Sequence, residues 1–154
     1  MYLAWGNSSS RIDQIEDVRA TYTTSLVYVT YQFTYNNDAG VPHLTGITNT
    51  IGTPEGYTFS YSGNVSLTSP WGLGSGSTTT LTNVSISLPG GGLQYALTYD
   101  ASAALTKVQF PYGGYLRWEY ADSIYTQNTR FREQREVANR YLSADGTQAH
   151  ETAA

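Results

Sequence analysis

Large side chains alternate with small or polar ones in four short segments of the chain. The segments are YQFTY (31–35), YTFSY (57–61), YALTY (95–99) and LRWEY (116–120), and their last residues are Tyr35, Tyr61, Tyr99 and Tyr120. A β-strand sends residues i, i+2 and i+4 to one face, so each segment predicts a strand with one apolar face. We call these alternating large residues the comb of each strand. We expect the combs, which include Trp118, to pack against neighbouring strands.

A shorter apolar pattern precedes each comb. An apolar residue is followed three positions later by Ile or Val at Ile12 and Ile15, Leu44 and Ile47, Leu81 and Val84, and Leu105 and Val108. Stretches rich in Gly and Pro, including 111–114 with Gly113, follow three of these pairs and favour tight turns. The chain therefore repeats a unit of short strand, loop and long strand, with copies over about 11–35, 43–61, 80–99 and 104–122.

The repeated unit predicts the fold class. A single hairpin cannot bury a face alone and has to stack on other hairpins. We therefore predict a single all-β domain over residues 1–154, in which irregular antiparallel hairpins form a curved open sheet or a partial β-spiral.

Three segments lie outside the repeats. Residues 69–79 are rich in Gly and Ser, which predicts a loop that carries Trp71. Residues 129–142 fit a short helix or a strand; we favour a strand, because the repeat requires a further arm over 129–146 and Asp145-Gly146 supplies a turn. We expect residues 147–154 to be a frayed tail.

Composition narrows the classes of function. Charged residues make up 13% of the chain and the net charge is −4, so there is no basic surface of the kind that nucleic acid requires. The chain has no cysteine, no apolar run long enough to span a membrane and no secretion signal at its start. Its surfaces must be rich in Ser, Thr and Tyr hydroxyls, which is common in proteins outside the cell.

The third and fourth copies together resemble a known motif. In TYDASAALTKVQFPYGGYLRWEYAD, the residues Tyr99, Asp100, Leu105, Val108, Gly113 and Tyr120 match the YD repeat of the Rhs, teneurin and insecticidal-toxin-shell families. Ala103 and Ala104 stand where that motif has Gly-Arg.

The resemblance implies an architecture, partners and a cellular location for the chain. It implies a β-strip that is coiled into a spiral or hollow shell, which encloses a toxic region or displays a surface domain. The implied partners are neighbouring YD repeats of the same or another chain and an enclosed toxin domain. The chain would then be a fragment of a larger bacterial protein, secreted or at the cell surface.

No set of residues predicts catalysis, a metal or a cofactor. The carboxylates Glu55, Glu119 and Asp122 could form the acid pair of a glycosidase, but we expect solvated charges, with Glu119 not paired to Arg117. His43 and His150 are far apart in sequence and lack an acidic residue at ligand spacing. Asp100 follows a strand, where a carboxylate usually accepts backbone N–H bonds from the turn.

Two aromatic residues remain candidates for ligand binding. Trp71, in the predicted loop, and Trp5, near the start, are expected to be exposed, and exposed indole rings stack on sugars. The predicted function is a non-catalytic scaffold or shell segment. The alternative is a carbohydrate-binding surface module that uses exposed Trp and Tyr side chains.

Overall fold

The computed structural model describes residues 2–5, 11–16, 29–38, 40–127 and 130–154. The strands are β1 (Tyr2–Trp5), β2 (Ile12–Glu16), β3 (Val29–Asp38), β4 (Val41–Asn49), β5 (Gly56–Thr68), β6 (Gly74–Leu88), β7 (Gly91–Tyr99), β8 (Leu105–Gln109), β9 (Tyr115–Gln127), β10 (Arg130–Ser143) and β11 (Thr152–Ala153). A short 3-10 helical turn, Gln148–His150, precedes β11.

The strands form one open antiparallel sheet in chain order, from β1 to β11. Each predicted repeat unit contains two neighbouring strands, beginning with β2 and β3 and ending with β8 and β9. The all-β prediction is confirmed, and the described residues contain no α-helix. The segment left open between helix and strand forms β10.

The chain divides into two compact units. The first unit contains Met1–Ser60 and Asn83–Gln94. Within it, Phe33, Ile47 and Tyr57 lie opposite one another on β3, β4 and β5. Residues directly opposite each other in antiparallel strands share a face, so these three form one apolar stripe.

The second unit contains Tyr61–Thr82 and Tyr95–Ala154. An apolar stripe crosses β7, β8, β9 and β10, and it consists of Leu97, Val108, Leu116 and Leu142. Tyr115 has the opposite parity on β9, where it pairs with Gln109 of β8 and Ser143 of β10. The comb of β9 and Tyr115 therefore lie on opposite faces of the sheet.

The combs are half-buried. In β3 the residues Tyr31, Phe33 and Tyr35 are partly covered, while Gln32 and Thr34 between them are exposed. The predicted alternation is therefore present, although the combs do not contain the most deeply buried residues. The buried residues of the described ranges are Thr80, Gly114, Tyr115 and Ser143. Tyr115 is the large one among them, and it lies on the face opposite the comb.

The remaining repeat positions lie in the strands where the pattern predicts them. Leu44 and Ile47 lie in β4, Tyr61 in β5, Leu81 and Val84 in β6, Tyr99 in β7, Leu105 and Val108 in β8, and Trp118 and Tyr120 in β9, all of them half-buried. Gly113 lies in the turn before β9 with a φ of 98°, which favours glycine.

The predicted loop over 69–79 is too long. Only residues 69–73 connect β5 to β6, because β6 begins at Gly74. Ser62 of β5 and Thr80 of β6 join their hydroxyls at 2.5 Å, which ties the two strands together here. The Ser/Thr run of 77–80 suits a strand better than the glycine count suggests, since threonine is β-branched.

The prediction of a frayed tail is also wrong. Thr152 and Ala153 pair with Leu142 and Tyr141 of β10, and the backbone N–H of Ala154 donates to the carbonyl of Arg140 at 2.9 Å. The side chain of Glu151 is only 8% exposed. A buried, paired carboxylate holds this segment against the sheet.

Candidate functional site

The terminal tyrosines of the first and fourth units make the same contact. The hydroxyl of Tyr35 donates to the carbonyl of Ile12 at 2.6 Å, and the hydroxyl of Tyr120 donates to the carbonyl of Leu105 at 2.8 Å. In each unit the acceptor is the first residue of the short apolar pattern. The last residue of the comb is thereby bonded to the first residue of the short apolar pattern in the same unit.

A guanidinium group covers each of these two rings. Arg11 lies 5.1 Å from the centre of the Tyr35 ring, and Arg135 lies 5.1 Å from the centre of the Tyr120 ring. A cation over a tyrosine face is attracted by the electron density of the ring. The terminal tyrosines of the other two units are partly buried as well, and burial raises the pKa of both Tyr61 and Tyr99.

Asp100 organises the turn between β7 and β8. Its Oδ1 accepts hydrogen bonds from the backbone N–H groups of Ser102 at 2.9 Å and Ala104 at 3.0 Å, and from the Ser102 hydroxyl at 2.7 Å. These backbone bonds confirm the turn role predicted for Asp100. Its Oδ2 forms an ion pair with Arg135 of β10.

Two opposing effects act on the pKa of Asp100. Partial burial raises it, while the hydrogen bonds from Ser102 and Ala104 and the charge of Arg135 lower it. The hydrogen bonds and the charge of Arg135 together outweigh the effect of burial, so the pKa of Asp100 lies below its ordinary value. The same turn places Ala103 at a φ of 61°, a left-handed conformation that is uncommon outside glycine.

A small polar cleft lies beside this turn. Thr68, Ser69 and Pro70 line one part of it, and Asp100, Ala101, Ser102 and Arg135 line the rest, with a volume of about 220 Å³. The backbone N–H of Thr68 donates to the carbonyl of Ala101 at 2.8 Å, which joins the two linings. The cleft is smaller than the ~300–1,000 Å³ of sites that enclose drug-sized ligands. It has room for one ring of a larger ligand.

The loop after the cleft presents an aromatic side chain. Trp71 directly follows Pro70 and is 50% exposed, in agreement with the predicted exposure. The loop is held in shape, because the N–H of Ser69 donates to the carbonyl of Leu73 at 2.6 Å and the N–H of Gly72 donates to the carbonyl of Ser69 at 2.9 Å. The other candidate, Trp5, belongs to β1, and its side chain lies outside the described residues.

A cluster of charges covers the face of β9 that carries Tyr115. Arg117 donates from Nε and Nη2 to the two carboxylate oxygens of Glu151 at 2.8 and 2.6 Å, and the Tyr115 hydroxyl donates to Glu151 Oε1 at 2.6 Å. Arg117 also contacts Glu119 at 2.6 Å. The expectation that Glu119 is not paired with Arg117 is therefore wrong, because residues two apart in a strand share a face.

The cluster strongly favours ionised carboxylates. The bonds from Arg117 and Tyr115 lower the pKa of Glu151 to about 2. Arg117 and Asn139 lower the pKa of Glu119, and the two carboxylates raise the pKa of Arg117. Both glutamates are acceptors, so neither is placed to act as a general acid.

His43 lies in β4 of the first unit, and His150 belongs to the second unit. His150 Nδ1 lies 2.6 Å from Asp145 Oδ2, a partner the sequence reasoning missed, and Ser143 Oγ donates to Asp145 Oδ1 at 3.2 Å. The aspartate lies between the serine and the histidine, whereas a nucleophilic triad needs histidine in the middle. These contacts stabilise the turn after β10. Within the described ranges no group of three acidic, histidine or cysteine residues could hold a metal ion.

The other acidic candidates also have structural partners or lie free in solvent. Glu55 accepts a hydrogen bond from the Tyr57 hydroxyl at 2.6 Å, which raises the pKa of that tyrosine. Asp122 is exposed on β9. Glu55 belongs to the first unit, whereas the other two acidic candidates, Glu119 and Asp122, belong to the second.

The fold and its contacts define an open antiparallel sheet built from repeated hairpins. Comparison of the chain with protein-family models, with curated proteins and with solved structures finds no match. In the part of the chain that the structure describes, no helix has the length and apolar character needed to cross a membrane.

Proposed function

We propose that the chain is a non-catalytic scaffold segment of a YD-repeat protein, secreted or at the surface of a bacterial cell. The observation that carries this proposal is the shared tyrosine contact. Tyr35 and Tyr120 each bond to the carbonyl of the first apolar residue of their own unit. A contact repeated at matching positions is what a stacked-hairpin wall requires.

The turn after Tyr99 supports the family assignment. Asp100 accepts the N–H groups of its own turn, which gives the aspartate of the motif a structural role. Ala103 stands where the YD motif has glycine, and its φ of 61° is one that glycine adopts without strain. A wall of such units could enclose a toxin domain or support a surface domain.

Stability and binding together test the scaffold. We expect Tyr35→Phe and Tyr120→Phe each to lower the free energy of unfolding by about 1 kcal/mol, because each removes one partly buried hydrogen bond. Isothermal titration against a panel of plant and bacterial oligosaccharides should give no saturable binding. Unchanged stability in both variants would contradict the proposal, and so would hydrolysis of any glycan in the panel.

A second candidate function, carbohydrate binding, is favoured by the cleft beside Trp71. An exposed indole next to a cleft lined by hydroxyls and an Asp–Arg pair suits a sugar ring, which has apolar faces and a polar edge. If this function holds, the same titration shows millimolar or tighter binding that is lost in Trp71→Ala. The matched control is Leu73→Ala, which removes another exposed apolar side chain, 71% exposed, from the same loop. Equal loss in both variants would contradict a sugar platform at Trp71.

A further inference from the structure

Strand β10 has a long free edge. On one side it pairs with β9 along its whole length, from Arg130 opposite Gln127 to Ser143 opposite Tyr115. On the other side, among the described residues, it pairs only with β11, at Tyr141 and Leu142. Unpaired N–H and C=O groups on such an edge can bond to another strand.

The sequence along this edge is complementary to itself when reversed. Residues 131–137 are F-R-E-Q-R-E-V. Consider a second, antiparallel copy related by a twofold axis at Gln134. Arg132 then lies opposite Glu136, and Glu133 lies opposite Arg135, each pair occurring twice by symmetry. The ends place Phe131 opposite Val137, an apolar pair.

The charged side chains are arranged for such a contact. Glu136 is held by its own chain, since it accepts hydrogen bonds from Ser123 at 3.1 Å and Tyr125 at 2.6 Å, and Arg135 is held by Asp100. Their counterparts Arg132 and Glu133 are exposed and make no hydrogen bond or ion pair with the described residues. Each opposed pair would thus join one fixed charge to one free charge.

The length of the free edge fits the same register. In the twofold arrangement Arg130 of the second copy lies opposite Ala138, so its strand ends before Tyr141, where β11 begins to pair. Val137, 53% exposed on this edge, is covered in the same arrangement. A charged edge normally discourages pairing, but here each charge meets its opposite.

We propose that two copies of this chain associate edge to edge through residues 131–137 of β10, antiparallel about a twofold axis at Gln134. The interface is isologous, as most homodimer interfaces are. It extends the sheet of one copy into that of the other. The inference does not rest on the scaffold function, and its failure would leave that function untouched.

A cysteine at the axis tests the register. The chain has no cysteine, so Gln134→Cys introduces a single thiol. Directly opposed residues of antiparallel strands have Cα atoms about 4.5–5.5 Å apart, within reach of a disulfide. Under mild oxidation we expect a covalent dimer of Gln134→Cys.

The control is Ala138→Cys, which lies on the same strand and is also exposed. In the proposed register its two copies are eight residues apart, which is about 27 Å at the rise of a strand. This variant should stay uncrosslinked under the same oxidation. Equal crosslinking of both variants, or of neither, overturns the proposal.

Charge reversal tests the complementarity without a crosslink. Sedimentation velocity of the unmodified chain should show a reversible dimer, and Arg132→Glu and Glu133→Arg should each weaken it about tenfold, because two opposite-charge pairs become like-charge pairs. Arg140→Glu makes the same charge change as Arg132→Glu on the same strand, outside the complementary stretch, and should leave the dimer intact. A chain that is monomeric at millimolar concentration, or equal weakening in all three variants, contradicts the proposal.

Discussion

The two faces of β9 are covered in different ways. On one face Tyr115 is 3% exposed, and its hydroxyl donates to Glu151, which lies 36 residues later in the chain. On the other face Leu116, Trp118 and Tyr120 are only half-buried. At Tyr115 the face that carries the charged cluster, which we call the polar face, is thus closed more completely than the comb face, although Arg117 and Glu119 on the polar face are half-buried like the comb.

The difference shows what each face depends on. Closure of the polar face depends on one charged cluster, Glu151 with Arg117 and Tyr115. The comb face is held by many separate local contacts, such as the Tyr120 hydroxyl on the Leu105 carbonyl. A single substitution should therefore damage the polar face more than the comb face.

The largest expected effect comes from Glu151→Ala. The change leaves Arg117 and the Tyr115 hydroxyl without their main acceptor and releases the segment around β11. We expect a clear fall in the midpoint of thermal unfolding, measured by circular dichroism, and loss of hydrogen-exchange protection at the backbone N–H of Leu142, which lies on the β11 side of β10.

The matched control for this change is Glu119→Ala. Glu119 also pairs with Arg117, but its side chain is 44% exposed and it belongs to β9 itself. The control should lower the midpoint less and should leave hydrogen-exchange protection at Leu142 unchanged. If the two variants behave alike, the cluster does not close the polar face.

Acid should weaken the same face in a defined pH range. The pKa of Glu151 falls from 4.5 to about 2 in the folded protein, so the ionised group favours folding. Its contribution is complete above about pH 4.5 and is lost as the pH falls toward 2. The difference in unfolding free energy between the unmodified chain and Glu151→Gln should therefore shrink over this range. A constant difference from pH 7 to pH 3 would contradict the assigned pairing.

The next largest loss of stability is expected for Asp100→Ala. This change affects the comb face, because Asp100 pairs with Arg135, which lies over the comb residue Tyr120. It removes the acceptor of two backbone N–H groups and of the Ser102 hydroxyl, and it leaves Arg135 without its carboxylate. We expect a loss of about 2–3 kcal/mol in the free energy of unfolding, measured with urea. Asp122→Ala, which removes an exposed carboxylate of β9, should change it by less than about 0.5 kcal/mol.

Tyr120→Phe should have a smaller effect. It keeps the ring under Arg135 and removes only the hydroxyl that bonds to Leu105. A loss of about 1 kcal/mol is expected from urea unfolding. Tyr112→Phe removes a hydroxyl from a ring that is 86% exposed and should cost nothing measurable. Equal effects would mean that the repeated hydrogen bond does not stabilise the unit.

The comb face was predictable from the sequence, because period-two alternation is a local property of a strand. Tyr35, Tyr120 and Asp100 all lie where the pattern places them. The polar face was not predictable in this way. Glu151 lies 34 residues from Arg117, in a segment whose composition resembles a frayed end, and no periodicity links the two.

Two other features were missed from the sequence for the same reason, because a local pattern does not show where the backbone returns. Gly76 takes a φ of 85° within β6, so glycines there accompany a strand and not a loop. The pairing of His150 with Asp145 arises from a turn that reverses the chain after β10. Local patterns predict strands well, but contacts made by irregular segments depend on where the backbone returns.

The smallest predicted effect is a gain in stability, from Ala103→Gly. Ala103 holds a left-handed φ of 61°, which costs an alanine about 1 kcal/mol and costs glycine little. Part of this gain is offset because glycine has more freedom in the unfolded chain, so we expect a net increase of about 0.5 kcal/mol in the free energy of unfolding. Ala101→Gly, in the same turn but at a negative φ, should instead lower it by about 0.5–1 kcal/mol. Opposite signs at two alanines of one turn, measured side by side in urea, would show that backbone strain at Ala103, where the YD motif has glycine, lowers the stability of the turn. The same sign at both positions would show that the turn contributes through its hydrogen bonds alone.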